Sequence, residues 1–247
     1  MFVHFGLYSP AARHEWVRSR ESMSLEDYDR YREAFDPDLF DARALARSAR
    51  AAGMRYAVLT AKHHDGFCLF DSALTGYRSD RDLVGEFVAA MRAEGLRVGL
   101  YYSLLDWHHP DFTLDEFHPL RGTDRTPGDM TAYQAYLRGQ VRELLTGYGP
   151  IDLLFFDFTY PGKGPEEWGS ADLLTLVREL QPGILVNDRL GVPGDYVTPE
   201  QYQPDRPLTR DGVPVAWEAC HTLNGSWGYD RDNHDYKDPA LLVRMLV

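Results

Sequence analysis

The stretch Tyr56-Ala57-Val58-Leu59-Thr60, followed by Lys62-His63-His64-Asp65-Gly66-Phe67, gives the clearest indication of the fold. Its first part is a mostly apolar run, which is typical of a parallel strand that is buried on both faces. Its second part places two imidazoles, a carboxylate and a glycine just after the carboxyl end of that strand. Ligands bind at this edge in α/β barrels and in open α/β sheets. The stretch therefore predicts a parallel sheet with a polar binding site at its carboxyl edge.

The same order of a helix, then glycine or proline, then a strand recurs along the chain. Strands are predicted over residues 1–6, 56–60, 96–102, 151–157, 184–187 and 214–218. Helices with apolar residues at helical period are predicted over 39–52, 82–94, 133–145 and 170–180, and a last one from Pro239. Strands that alternate with helices require a parallel sheet with right-handed crossovers. Because the sequence has no long Gly-rich phosphate loop, we predict an α/β fold of the (β/α)8-like TIM type. About six βα units are visible, so the barrel is expected to be incomplete.

Length and composition limit the class of protein. The chain has 247 residues, of which 44% are hydrophobic and 26% charged, so we predict a single barrel domain over residues 1–247. Its net charge is −12 and it has no basic run, which argues against nucleic acid as a partner. No uncharged apolar stretch reaches the roughly 20 residues of a membrane span. No signal peptide is visible, and the cellular location stays open.

Polar and aromatic side chains recur at predicted strand ends. The set comprises His4, His63, His64, Tyr101, Asp157, Arg189 and Glu218. Any one of them alone is explained by a helix cap or a loop, but seven at one edge indicate a site. Asp157 is followed by a predicted loop over 158–162, where a capped helix would otherwise begin. The loops 103–130 and 188–213 are predicted to be long and to carry specificity.

Carboxylates in such a site can hydrolyse glycosides as a pair. One ionised carboxylate attacks the sugar carbon while a protonated one donates to the leaving oxygen. Asp157 and Glu200 are the candidates, although Glu200 alone reads as a solvent-exposed loop residue. Double displacement requires the two to face one cleft within about 10 Å.

Other chemistries fit the sequence less well. His63 and His64 would point to opposite faces if both lay in a strand, so no metal site is predicted. A metal-dependent barrel hydrolase stays open as an alternative. Cys68 and Cys220 lack the spacing of a metal site and read as small buried hydrophobes. No Gly-x-Ser-x-Gly motif supports a serine nucleophile.

These residues resemble the α-L-fucosidases of glycoside hydrolase family 29 over nearly the whole chain. The matching stretches are residues 1–9, Glu15-Trp16, 59–67, 81–85, 99–103, 155–157, 187–189, 198–200 and 226–229. The resemblance implies a retaining exo-glycosidase that acts on fucosylated glycans through a covalent glycosyl-enzyme intermediate and needs no cofactor. It implies Asp157 as the nucleophile and Glu200 as the acid/base.

The resemblance also implies the substrate-binding residues. His4, Glu15, Trp16, His63, His64 and Arg189 match positions that grip the sugar hydroxyls or orient the nucleophile. Tyr101, Phe155 and Trp227 match aromatic positions around the sugar's methyl group. Arg189 is expected to favour the ionised form of Asp157. Glu200 is expected to hold a proton until the first transfer.

Differences from the family pattern leave alternatives open. Phe155 stands where tryptophan is frequent, and Phe158 replaces a common glycine beside the nucleophile. The chain is expected to be truncated at both ends and to lack the family's C-terminal β-sandwich. An exposed sheet edge would then need a cover, such as a second copy in a homo-oligomer. An α-L-galactosidase-like activity and an inactive fucoside-binding relative are two further alternatives to fucoside hydrolysis.

Overall fold

The computed structural model describes residues 1–126, 128–160 and 162–245. Pro161, within the predicted loop after Asp157, and the last two residues of the predicted domain lie outside this set. Five parallel strands form one sheet in chain order: β1 (Phe2–Val3), β2 (Tyr56–Lys62), β3 (Arg97–Ser103), β4 (Leu153–Asp157) and β5 (Leu185–Val186).

Two further parallel strands extend this order. A bridge from Asn187 to Tyr196 joins β5 to β6 (Tyr196–Val197), and β6 pairs with β9 (Ala216–Trp217). The sheet therefore curves from β1 to β9, and no pairing joins these two end strands within the described parts of the chain. This arrangement agrees with the predicted incomplete barrel.

Helices surround the sheet. They are α1 (Val17–Arg20), α2 (Leu25–Glu33), α3 (Ala42–Ala51), α4 (Leu83–Ala93), α5 (Met130–Gly147), α6 (Pro165–Trp168), α7 (Ser170–Leu180) and α8 (Pro239–Arg244). Sequence analysis predicted α3, α4, α5, α7 and α8 and missed the other three. No helix in the described residues is both long and apolar enough to cross a membrane.

Alternation along each strand separates two cores. Ala57, Leu59 and Ala61 of β2 face the helices, and all three are fully buried. Val58 of β2 faces the concave side of the sheet, where it packs with Tyr101, Leu153, Phe155 and Tyr196. Because successive side chains alternate between faces, the concave side carries one column of residues from each strand. The site described below lies where these columns reach the carboxyl ends of the strands.

A register shift interrupts this alternation near the end of β2. Thr60 pairs with Tyr101, whereas Lys62 pairs with Tyr102, so one extra residue is accommodated in β2. Lys62 consequently points toward the helices, where its Nζ lies 3.1 Å from Asp106 Oδ2 and 4.4 Å from the centre of the Tyr102 ring. Both members of this ion pair are almost completely buried.

The structure corrects two predictions about the second half of the chain. The predicted loop 188–213 contains β6 and the strand β7 (Thr209–Arg210). The predicted strand 214–218 is divided between β8 (Val213–Pro214), which forms an antiparallel hairpin with β7, and β9. Asp211 and Gly212 have left-handed backbone angles, φ 53° and 78°, which is the conformation that a tight hairpin turn requires.

The predicted helix over 170–180 is confirmed as α7. Ser170 is its first residue, after Gly169, and its hydroxyl donates to the carbonyl of Leu190. The side chain therefore joins α7 to the segment after β5 and does not satisfy the helix N-terminus.

Candidate active site

An open cavity lies at the carboxyl edge of the parallel strands. It is lined by Phe2, His4, Trp16, His63, His64, Tyr101, Phe155, Asp157, Phe158, Arg189, Glu200, Cys220 and Trp227. All the predicted site residues except Glu15 and Glu218 are on this list. Sequence analysis had proposed no role in the site for Phe2 or Cys220, and had noted Phe158 only as a difference from the family.

Asp157 lies at the end of β4 on the concave face. Its Oδ1 accepts a hydrogen bond from Arg189 at 2.9 Å, and its Oδ2 accepts one from the Tyr101 hydroxyl at 2.7 Å. Burial raises the pKa of Asp157 above its usual range, while Arg189 and Tyr101 act in the opposite direction. Arg189 thus favours the carboxylate as expected, but desolvation has the larger effect.

Glu200 contacts the same guanidinium. Its Oε2 lies 2.6 Å from Arg189 Nη2, while Nη1 of Arg189 faces Asp157. Because the guanidinium is a planar fork, the two hydrogen bonds limit the separation of the carboxyl oxygens to about 8 Å. Glu200 follows β6 and forms a parallel bridge with Cys220, and its side chain is exposed. The two carboxylates therefore face one cavity, Asp157 from the end of β4 and Glu200 from the segment after β6.

Three histidines form the opposite wall. His4 follows β1, and His63 and His64 follow β2, which ends at Lys62. Both His63 and His64 line the cavity because they belong to a turn, closed by the Gly66 N–H on the His63 carbonyl, and not to the strand. Burial lowers the pKa of all three, that of His4 to about 4, so the imidazoles are neutral at pH 7.

Contacts with neighbouring side chains fix the orientation of the His64 ring. It makes edge contacts with Trp16, with ring centres 4.8 Å apart, and with Phe158, at 5.5 Å. Its Nδ1 lies 2.7 Å from the Ser103 hydroxyl oxygen, and its Nε2 lies 3.9 Å from Asp157 Oδ2. Sequence analysis overlooked Ser103, although its position at the end of β3 was a signal available for it.

Aromatic rings cover the remaining wall. Tyr101 and Phe155 are neighbours in the β3–β4 ladder and stack with their centres 5.7 Å apart. Phe2 meets the edge of Phe155 at 5.1 Å, and Trp227 stacks on His4 at 5.4 Å. The predicted aromatic residues are therefore together in one part of the cavity, beside the neutral histidines.

Glu15, which the resemblance assigns to gripping the sugar hydroxyls or orienting the nucleophile, is not part of the cavity lining. It lies behind the cavity wall with 1% of its surface exposed. Its Oε2 accepts a hydrogen bond from the backbone N–H of Gly228 at 2.7 Å, next to Trp227. Burial raises the pKa of Glu15 to about 7, against the opposing effect of this hydrogen bond. Glu15 thus holds the segment that presents Trp227.

Glu218 does not belong to the carboxyl edge, contrary to the prediction. It accepts a hydrogen bond from the hydroxyl of Tyr56, the first residue of β2, at the opposite end of the sheet. The residue from its strand that reaches the cavity is Cys220. Burial raises the pKa of the Cys220 thiol to about 12, so it remains protonated at neutral pH.

Metal ligands are not grouped in this site. Within residues 1–126, 128–160 and 162–245, no group of three or more His, Cys, Asp or Glu side chains is arranged to hold a metal ion. What the cavity offers instead is two carboxylates on one guanidinium, neutral imidazoles and an aromatic wall. Such a set can accept and donate hydrogen bonds to a polyol and exchange protons with it.

Comparison with known proteins places the chain in a family. The family model "Alpha-L-fucosidase" matches residues 1–247. Plasma alpha-L-fucosidase of Rattus norvegicus is 31% identical over 100% of this chain and 58% of its own length. The chain spans about half the length of the curated relatives it matches.

Solved structures agree with this assignment. Alpha-L-fucosidase isoenzyme 1 from Paenibacillus thiaminolyticus is 49% identical, with a TM-score of 0.96 over 100% of this chain and 63% of that one. A family 29 α-L-fucosidase from Bacteroides thetaiotaomicron, solved as a covalent intermediate trapped with 2-fluoro-fucosyl fluoride, is 28% identical. Its TM-score is 0.84, over 99% of this chain and 63% of that one. The cavity, the barrel-like sheet and these matches together show that the chain belongs to the α-L-fucosidase family.

Proposed function

We propose that this chain hydrolyses terminal α-L-fucosyl linkages with retention of configuration, and that residues 1–247 act as one catalytic domain. The observation that supports this most strongly is the contact of Asp157 and Glu200 with one guanidinium, that of Arg189. Retaining enzymes need two carboxyl groups about 5 Å apart, and the limit set by Arg189 permits that separation.

Asp157 is the proposed nucleophile. Its carboxylate attacks the anomeric carbon while the bond to the leaving oxygen breaks, and Glu200 gives its proton to that oxygen. In the second step Glu200 takes a proton from water, which attacks the same carbon and releases Asp157. Glu200 must turn away from Arg189 to reach the leaving oxygen. Its exposed position on the segment after β6 leaves room for that rotation.

The substrate is proposed to be a fucosylated oligosaccharide or glycoconjugate. Neutral histidines suit sugar hydroxyls because each presents one donor and one acceptor. The rings of Phe2, Tyr101 and Phe155 form an apolar surface, which favours a methyl group over a hydroxymethyl group. For that reason we prefer an α-L-fucoside over an α-L-galactoside.

An aryl α-L-fucoside tests the proposal. The wild-type protein should release the phenol, and Asp157→Gly should lose at least a thousandfold in kcat. Azide added to Asp157→Gly should restore turnover and yield a fucosyl azide of inverted configuration, because azide fills the space of the missing carboxylate. Asp36→Gly, which removes an exposed carboxylate before α3, is the matched control and should retain wild-type activity.

The alternatives give different results in the same assay. If wild type and Asp157→Gly are both folded and both inactive but still bind fucose, the chain has a binding function and not a catalytic one. Faster release of the phenol from an aryl α-L-galactoside than from the aryl α-L-fucoside would identify α-L-galactosides as the preferred substrate. Loss of activity on chelation would favour a metal-dependent hydrolase. Association of copies along β1 and β9 is a further proposal, because no strand pairs with the outer edge of either one among the described residues and such an edge can pair with another chain. Sedimentation would test it.

A further inference from the structure

Ser103 occupies a position from which it can control the protonation of His64. Ser103 and Asp157 are paired residues at the ends of β3 and β4, on the concave face. The His64 ring lies close to both: its Nδ1 is 2.7 Å from the Ser103 hydroxyl oxygen, and its Nε2 is 3.9 Å from Asp157 Oδ2. A neutral imidazole carries its proton on only one of these nitrogens, and the partner of the other nitrogen determines which.

The hydrogen bonds around Ser103 leave it one role toward His64. The Ser103 hydroxyl donates to the carbonyl of Leu105 at 2.9 Å and accepts from the Leu105 N–H at 3.0 Å. Both residues are fully buried, so the Leu105 carbonyl has no access to water. If the hydroxyl proton turned to His64 instead, a buried carbonyl would lose its donor. The hydroxyl oxygen must therefore accept from His64, which places the imidazole proton on Nδ1.

The Asp157 side supports the same tautomer. Both oxygens of Asp157 already receive hydrogen bonds, from Arg189 and from Tyr101. The distance of 3.9 Å from His64 Nε2 to Oδ2 is too long for a hydrogen bond. With the proton on Nδ1, two acceptors face each other across this gap, and only a group with a hydrogen to give can satisfy Nε2.

We propose that Ser103 is a positioning residue that holds His64 in the Nδ1–H form, so that His64 Nε2 acts as an obligate acceptor for a sugar hydroxyl beside the nucleophile. This inference rests on the proposed function, which it deepens by naming a specificity determinant. The site then discriminates against a sugar whose group at that position accepts hydrogen bonds but cannot donate one. Trp16 and Phe158 keep the ring from turning to another partner.

The tautomer is measured in the protein without any sugar. Two-bond 1H–15N correlation spectra of ¹⁵N-histidine-labelled protein distinguish protonated from bare ring nitrogens, and the His64 signals are assigned by their absence in His64→Gln. Wild type should show a protonated Nδ1 and a bare Nε2. Ser103→Ala should show a mixture or the reverse. A protonated Nε2 in the wild type would overturn the proposal, whether or not the variant folds.

Sugar specificity is measured with L-fucose and its monofluoro analogues as competitive inhibitors. Fluorine replaces a hydroxyl as a weak acceptor without a hydrogen. At one ring position the preference of wild type for hydroxyl over fluorine should fall about tenfold in Ser103→Ala, in line with one buried hydrogen bond. Ser79→Ala, which removes a buried hydroxyl away from the cavity, should keep the wild-type preference.

The two measurements separate the inference from the function on which it rests. Identical preferences in wild type and Ser103→Ala at every position would overturn the role of Ser103 in specificity. Failure of L-fucose itself to bind would overturn the proposed function, and with it the sugar half of the inference. The Nδ1–H tautomer in the wild type would still support Ser103 as the residue that fixes His64.

Discussion

The carboxylate of Glu15 and the backbone N–H of Gly228 are joined by a hydrogen bond of 2.7 Å, although the residues are 213 positions apart. The segment around Gly228 has little regular structure and carries Trp227 into the cavity. A methyl group at position 228 would lie 2.8 Å from the Tyr8 ring and 3.1 Å from Glu15 Cβ, so the close approach requires glycine. Glu15 therefore acts on the cavity through Trp227.

Glu15→Ala should weaken substrate binding more than it slows catalysis. Loss of the acceptor leaves the Gly228 N–H unpaired and loosens Trp227, at a free-energy cost of about 1–3 kcal/mol. KM should rise about tenfold while kcat changes less, and Glu15→Gln, which keeps an acceptor oxygen, should lie close to wild type. Glu26→Ala on exposed α2 is the control. An unchanged KM in Glu15→Ala would contradict the anchoring role.

Glu15 also predicts a pH dependence of stability. Its pKa in the folded protein is about 7, above the ordinary value of 4.5, so the folded state holds the proton more tightly than the unfolded state. The resulting stabilisation is complete below about pH 4.5, declines as pH rises, and is lost above about pH 7. The free energy of unfolding of wild type, relative to that of Glu15→Gln, should be about 3 kcal/mol lower at pH 8 than at pH 4.5. A difference in unfolding free energy between the two proteins that stays the same from pH 4.5 to pH 8 would contradict this prediction.

Arg189→Gln should shift the acid limb of kcat/KM. The guanidinium lowers the pKa of Asp157 against the larger effect of burial, so its removal should raise that pKa further. Since the nucleophile must be ionised, activity in the variant should decline at a higher pH than in wild type. Arg189→Lys keeps the charge and should shift the limb less, while Arg97→Gln, on a largely exposed side chain, should leave it unchanged. An acid limb in Arg189→Gln that coincides with that of wild type would contradict the coupling.

Lys62→Met should be strongly destabilising, because it leaves Asp106 buried without its cation. Loss of one partner of a buried ion pair costs about 3–5 kcal/mol. Lys62→Met/Asp106→Asn should recover part of this loss, because the remaining side chain is neutral and can still accept from the backbone at residues 108 and 109. Urea unfolding at pH 7 measures both. Purely additive effects would show that the two residues are not coupled.

Gly66→Ala should destabilise the turn that carries His63 and His64. Gly66 has a left-handed φ of 85°, and a Cβ there would lie 2.1 Å from Asp106 Oδ1. Gly53 is the matched control, since its φ is 77° and its Cβ would meet open space. We expect about 1 kcal/mol of strain for Gly53→Ala and at least about 2 kcal/mol more for Gly66→Ala. Similar unfolding free energies for the two variants would show that the Asp106 side chain moves to make room for the added methyl group.

Local sequence predicts the elements whose signal is contained within them. The apolar run of β2 and the helical period of α4 are such cases, and both were predicted nearly to the residue. Strands β6 and β9 have two residues each, so they are defined by their partners and not by their own pattern. The hairpin turn at Asp211 and Gly212 was a local signal that the sequence analysis did not use.

The same distinction applies to the cavity. His63 and His64 follow a long strand, and their place at its carboxyl edge could be read directly from the order of residues. Glu218 was misplaced because its strand was taken to end there, whereas the bridge from Glu200 to Cys220 continues it by two residues. Glu15 and Ser103 have roles set by partners that only the folded chain brings near, so their functions could not be read from spacing.

The extra residue in β2 determines which cation the proposed nucleophile meets. Without that register shift, strict alternation would aim the Lys62 ammonium inward, into the row that holds Ser103 and Asp157. A mobile point charge would then compete with the rigid fork of Arg189 for the same carboxylate. The bulge thus separates the two cations: Lys62 lies with the buried Asp106 on the helix side, and Arg189 lies with Asp157 in the cavity.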